Sequence, residues 1–180
     1  MKKITNRIPK RIPENWQAEL EKVAMHNQTN LFLKRAYICS PCRSDTPEGI
    51  RLNMIAARLY MYLAHAELNM NAFAPHAYLP TILCDNISAD RTIALDLCMK
   101  LVRTSDVMLV CGDRITPGMS GEITRGAQLG RMIYVFNESL KVEVRKIVTR
   151  AGADKRLVKL LHHNMMALTS EEITDLPEVA

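Results

Sequence analysis

The 180-residue chain is 48% hydrophobic and 24% charged, with few aromatic residues and a formal net charge of +5. Such a length supports about one domain with extensions, and the balance excludes a disordered or fibrous chain. No stretch approaches the ~20 apolar residues of a bilayer crossing, and the basic start MKKITNRIPKRIP has no apolar run behind it, so a cytoplasmic protein without a membrane partner is expected.

In chain order, residues 13–25 place Trp16, Leu20, Val23 and Ala24 at helical spacing, as a helix packing on the sheet or on a second subunit would. Four apolar runs of strand length follow: RAYICSP (35–41), NAFAPH (71–76), DVMLVCG (106–112) and RMIYVFN (131–137). Helical patterns separate them at 47–69, 88–104 and 119–129, and Gly130 stops the last. Beyond the fourth run, 140–151 reads as another helix and MMAL (165–168) as a short fifth strand, before a polar tail with a capping signal at Ser170. The alternation predicts an α/β fold: an open, mostly parallel sheet of four to five strands with helices on both faces, of the flavodoxin or Rossmann kind. The chain then divides into an N-terminal extension (1–34), an α/β core (35–137) and a C-terminal helix and tail (138–180).

The five cysteines lie mostly in apolar runs and read as reduced core residues. CSPC at 39–42 lacks both the helix start a redox pair needs and the second pair a zinc site needs, so no metal and no cofactor is expected. Basic residues concentrate at the two ends, but without a recognition motif they read as solvated faces, and nucleic acid is not an expected partner.

Ligands of such sheets bind beyond the carboxyl ends of the strands. Those ends are polar here: Ser40, Arg43 and Asp45 after the first run, His76 after the second, and Gly112, Asp113, Thr116 and Gly118 after the third. In GDRITPGMSGEI the glycines admit close backbone approach, and the following helix points its positive end at the same place, which suits an anion. Glu122 is expected in the first turn of that helix, either facing the cleft or simply favourable to the dipole. Asp106 opens the third strand, roughly 17–20 Å from that strand's carboxyl end, and reads as structural.

Together AYICSP, APH, the Asp90-Arg91 pair, SDVMLVCGDRITPGMSGEI and AQLGRMIYVF resemble the nucleoside 2-deoxyribosyltransferase-like superfamily, over about residues 35–137. The resemblance implies Glu122 as nucleophile in a Gly118-Met119-x-x-Glu122 turn, Tyr37 assisting it, and Thr116 at the position of a phosphate-binding serine. Asn53 and Arg91 match positions of one branch of that superfamily and are expected either to face the cleft or to be surface or helix-packing residues, and Met119 of the Glu122 turn is expected to border the substrate. The implied substrate is a nucleoside or nucleoside 5′-monophosphate, the implied reaction cleavage of its N-glycosidic bond with release to water or to another base, and the implied assembly a homo-oligomer. One departure stands out: where the characterised transferases carry an aspartate on the helix before the third strand, this chain has Cys98. Asp96, roughly 200° away around the helix, cannot simply replace it. Asp85, in the loop after the second strand, is the first alternative for the acid, with a loop-capping role as the other reading. A module that binds a nucleotide without turning it over fits the same residues. Finally, Met54, Met61 and Leu68 fall off the buried stripe of the first core helix and are expected to form an exposed apolar patch.

Overall fold

The computed structural model describes residues 34–161. The segment 13–25, the run 165–168 and Ser170 lie outside the described residues. Five strands, β1 (Arg35–Cys39), β2 (Asn71–Phe73), β3 (Val107–Val110), β4 (Met132–Val135) and β5 (Val158–Leu160), form one sheet in the order β2-β1-β3-β4-β5. All four pairings are parallel. Parallel neighbours need crossovers, and four helices supply them: α1 (Pro47–Leu68), α2 (Ser88–Thr104), α3 (Pro117–Gln128) and α4 (Glu138–Arg150).

Side-chain alternation sorts the core into two layers. Ala36 and Ile38 of β1 and Val107 and Leu109 of β3 pack with Ala56, Leu59, Tyr60 and Leu63 of α1. Tyr37, Cys39, Met108 and Val110 point the other way, onto Cys98 and Val102 of α2, Met119 and Ile123 of α3 and Val144 and Ile147 of α4. Because β1 and β3 are covered on both faces, their sequences are unbroken apolar runs. Each large side chain fully withdrawn from water here, such as Ile38, Leu109 or Ile133, contributes about 1.5–3 kcal/mol.

The helix starts are chemically marked. Thr46 accepts a hydrogen bond from the N–H of Gly49 and Pro47 fills the first turn of α1, which ends on Asn69 in the left-handed conformation. Thr116 and Pro117 open α3 in the same way.

Several expectations need correction. Helix α3 starts at Pro117 rather than Met119, because the Thr-Pro pair caps it there, so Glu122 is its sixth residue and lies in the second turn. The second strand stops at Phe73, and His76 belongs to the tight 3-10 turn Pro75–Ala77 that follows. A fifth strand exists at Val158–Leu160, upstream of the run 165–168. Met54 is buried, and Met61 and Leu68 pack half-buried on the α1 layer, so the anticipated patch on α1 is absent. The large exposed apolar side chains gather mainly after β2 and on α2, at Tyr78, Ile82, Ile87, Ile93, Leu95 and Leu97, with Tyr62 on α1 and Val142 on α4 standing apart. No described helix is long and apolar enough to cross a membrane.

Candidate functional site

Strand order reverses between β1 and β3, since the chain leaves β1 toward β2 on one side and β3 toward β4 on the other. The loops diverge at that point and leave a crevice beyond the carboxyl ends. Tyr37 and Cys39, two apart on β1, present their side chains to the same face. Helix α3 crosses that face closely because Gly126 has no side chain; a Cβ there would meet Met108 Cε at 3.0 Å. One turn earlier stands Glu122, only 8% exposed.

Burial raises the Glu122 carboxyl from its ordinary range to about 7, opposed in part by Tyr37, Cys39 and Cys98, whose hydrogens favour the anion. No cation is among the groups that act on it. The neighbours respond in kind: Tyr37 is raised well above its usual value by burial and then by Glu122, and Cys98 is pushed up to about 12 by the same two causes. Both stay protonated at neutral pH. The Tyr37 hydroxyl lies beside the carboxylate, yet it completes no hydrogen bond of proper geometry and is a buried donor without a partner. Its ring is fixed edge-on against Phe73, with centroids 6.1 Å apart. The Cys39 thiol points at the Met119 carbonyl, 3.9 Å away.

Three further groups surround this centre. Ser40 Oγ and His76 Nε2 are 2.7 Å apart, both buried, and burial lowers His76 to about 4, so the imidazole is neutral. Arg58 holds the turn that carries His76, donating to the Ala77 carbonyl and stacking over Tyr78. In the second group, Arg91 Nη1 donates to both oxygens of Asp85 at 2.7 and 2.6 Å, while Arg43 Nε stands 3.8 Å from the same carboxylate. Asp90 accepts from the Cys84 N–H and ties the loop to α2. Asp85 is thus a clamp between loops and is not among the groups acting on Glu122. The Cys42 thiol feels Asp85, Glu122 and Arg91 together, which places the clamp on the same side of the crevice. Asn53 Nδ2 secures this loop by donating to the Cys42 carbonyl.

The third group is the start of α3. The N–H groups of Met119 and Ser120 are taken by the Thr116 hydroxyl and carbonyl. That of Gly118 has no backbone acceptor among the described residues. A Cβ on Gly118 would meet nothing nearer than Thr116 Oγ1 at 3.9 Å, so the approach is open. Gly112, at φ +98°, makes the turn out of β3, and Asp113 pairs with Arg114 on the loop beyond it.

Of the residues singled out in the sequence, Glu122 and Tyr37 are brought together directly, while Asn53 and Asp85 hold loops. Asp106 binds Arg35 at the opposite end of the sheet, where the guanidinium and the Arg35 N–H hold its carboxyl at about 2. Asp96 pairs with Lys100 on the exposed side of α2, while Cys98 faces inward. Two groups were missed: the Cys39 and Cys98 thiols, which wall the carboxylate. The two-residue spacing from Tyr37 was a usable signal for Cys39; the resemblance places Cys98 at the site aspartate's position, but as a missing acid and not as a thiol donor to Glu122.

Comparison with curated proteins returns no match. Residues 34–136, from the approach to β1 to the residue after β4, match the family described as Domain of unknown function (DUF7768), and the chain belongs to that family.

Proposed function

We propose that the protein breaks the N-glycosidic bond of a deoxynucleoside or its 5′-monophosphate through Glu122. One observation carries this reading: a carboxylate with no counter-cation among the described residues, poised near neutrality by burial beside a protonated tyrosine, in the crevice where the strand order reverses. Carboxylates without partners are costly to bury, and they concentrate where chemistry needs them.

In this mechanism the ionised Glu122 attacks C1′ as the C1′–N bond breaks. The base departs with the bonding electrons and takes up a proton, leaving a glycosyl ester on Glu122. Water or a second base then attacks C1′ and frees the carboxylate. The Tyr37 hydroxyl, a buried donor without a partner beside Glu122, becomes a donor to the carboxylate once substrate is bound and keeps it aligned. Gly118 N–H and the Thr116 hydroxyl receive the 5′-phosphate at the positive end of α3. Ser40 with His76, and Arg43 with Arg91, border the remaining sides.

A second reading, nucleotide binding without turnover, is favoured by Cys98. A thiol raised to about 12 is a poor donor to a departing base. Incubation with a panel of deoxynucleosides and 5′-monophosphates separates the two. Free base that disappears in Glu122→Gln supports the enzyme; tight binding without base release supports the sensor. The proposal also includes a two-fold homo-oligomer, in which the exposed Tyr78, Ile82 and Ile87 beside the crevice meet a second copy.

A further inference from the structure

Two shallow surface depressions lie away from Glu122, on the outer side of α3 and α4. One, of about 430 Å³, is bordered by Arg145, Lys146 and Arg150 of α4. The other, of about 290 Å³, runs between α3 and α4 and shares Arg150 with the first. They adjoin at Arg150, and the pair, here called the trough, has its cations at the α4 end. Its remaining polar lining consists of Ser120, Thr124, Gln128 and Thr149, and no aspartate or glutamate borders either part.

The three cations differ from their neighbours on the same element. Lys141 is neutralised by Glu138 at 3.0 Å, and Arg156, just beyond α4, by Asp154. Arg145, Lys146 and Arg150 have no ion pair among the described residues. Arg150 Nε donates to the Lys146 carbonyl at 3.4 Å, and the side chain is exposed. Glu143, the nearest acid along the helix, borders neither depression.

We propose that this trough binds the phosphodiester backbone of a nucleic-acid strand. Guanidinium, ammonium, hydroxyl and amide groups are the side chains that contact phosphate oxygens. A shallow, open surface whose charges stand at the tips of aliphatic stems suits an extended polyanion better than an enclosed small molecule, for which sites are concave. A lipid surface would call for apolar side chains to insert, and beside the three cations α4 offers only Val142. The sequence showed the charges but not the trough. Helical spacing brings residues 145, 146, 149 and 150 to one side, and only the packing of α3 adds the hydroxyl and amide groups. This proposal is independent of the chemistry assigned to Glu122.

The test uses the full chain and a fluorescein-labelled 20-nucleotide single-stranded DNA, with anisotropy read at 50 and 200 mM salt. Three phosphate contacts give a log–log salt slope of about −2, so affinity should fall about twentyfold over that range. Replacing the three cations together (Arg145→Gln, Lys146→Gln, Arg150→Gln) should weaken binding at 50 mM salt at least tenfold and flatten the slope. Circular dichroism confirms that these exposed changes leave the fold intact. A second variant with Lys2, Lys3, Arg7, Lys10 and Arg11 all changed to Gln should bind as the wild type does. The proposal is overturned if the wild type fails to bind at 50 mM salt, if the trough variant binds unchanged, if the N-terminal variant alone loses binding, or if the protein binds anionic phosphatidylglycerol vesicles and not the oligonucleotide.

Discussion

Glu122→Gln should stabilise the protein, increasingly so as the pH rises. Burial lifts the carboxyl from its ordinary 4.5 to about 7, so the folded state holds this proton more tightly than the unfolded chain. The resulting stability is fully present below about pH 4.5 and is lost as the pH rises through 7. At 1.36 kcal/mol for each tenfold change in proton affinity, the loss approaches about 3 kcal/mol by pH 8. His76 works in the opposite sense. Its folded value of about 4 lies below the ordinary 6.5, so its contribution is present above pH 6.5 and is lost as the pH falls through 4. The two effects nearly cancel between pH 4.5 and 6.5, and the wild type alone is uninformative there. The difference between variant and wild type isolates Glu122, because every other titrating group is common to both. Glutamine keeps the shape of the protonated acid. Urea unfolding at half-unit steps from pH 4 to 8.5 should show the difference widening by about 3 kcal/mol, or on the order of 6–12 °C in Tm for a chain of this size. A difference flat to within about 0.5 kcal/mol would mean that the carboxyl titrates normally, and the case for a poised nucleophile would fall with it.

Gly121→Ala should raise stability by about 0.5–1 kcal/mol in the same urea assay, since a Cβ there meets nothing within 4 Å and alanine removes the glycine penalty inside α3. A loss of stability would show that the first turns of α3 are not regular helix. Calorimetry should find a 5′-monophosphate bound more tightly than the plain nucleoside by about 1–3 kcal/mol, with part of that preference removed by Thr116→Val. Equal affinities would remove phosphate from the start of α3. Light scattering at tens of micromolar protein should give a dimer or larger assembly that Ile82→Asp disrupts; a monomer would leave the exposed apolar surface after β2 without the second copy assigned to it.

The strands β1 and β3 were legible because both faces are covered, which writes burial into the sequence as unbroken apolar runs. The start of α3 was misplaced at Met119, because the apolar pattern leads there and the Thr116-Pro117 cap, a signal the sequence does carry, was not used. Strand β5 was not legible. It has three residues, its central Lys159 is exposed, and its place comes from pairing with β4 rather than from any pattern of its own. The site divides the same way. Glu122 and the glycines before it announce themselves by residue type and position. The partners that set its proton affinity come from β1 and α2, far away in the sequence, and only the packing of α3 across the sheet brings them into register.

The placement of the cysteines gives the molecule a built-in record of its own opening. Cys84 is exposed and Cys42 half-buried, whereas Cys39, Cys98 and Cys111 are buried, with thiols raised by that burial and therefore almost without reactive thiolate in the native state. A thiol reagent added to native protein should count Cys84 quickly and Cys42 slowly. The other three should react only when their surroundings separate. Cys39 and Cys98 belong to the layer beneath α2, α3 and α4, and Cys111 to the layer beneath α1. Each side of the sheet thus carries its own clock, and the order in which these thiols become labelled tells which side loosens first.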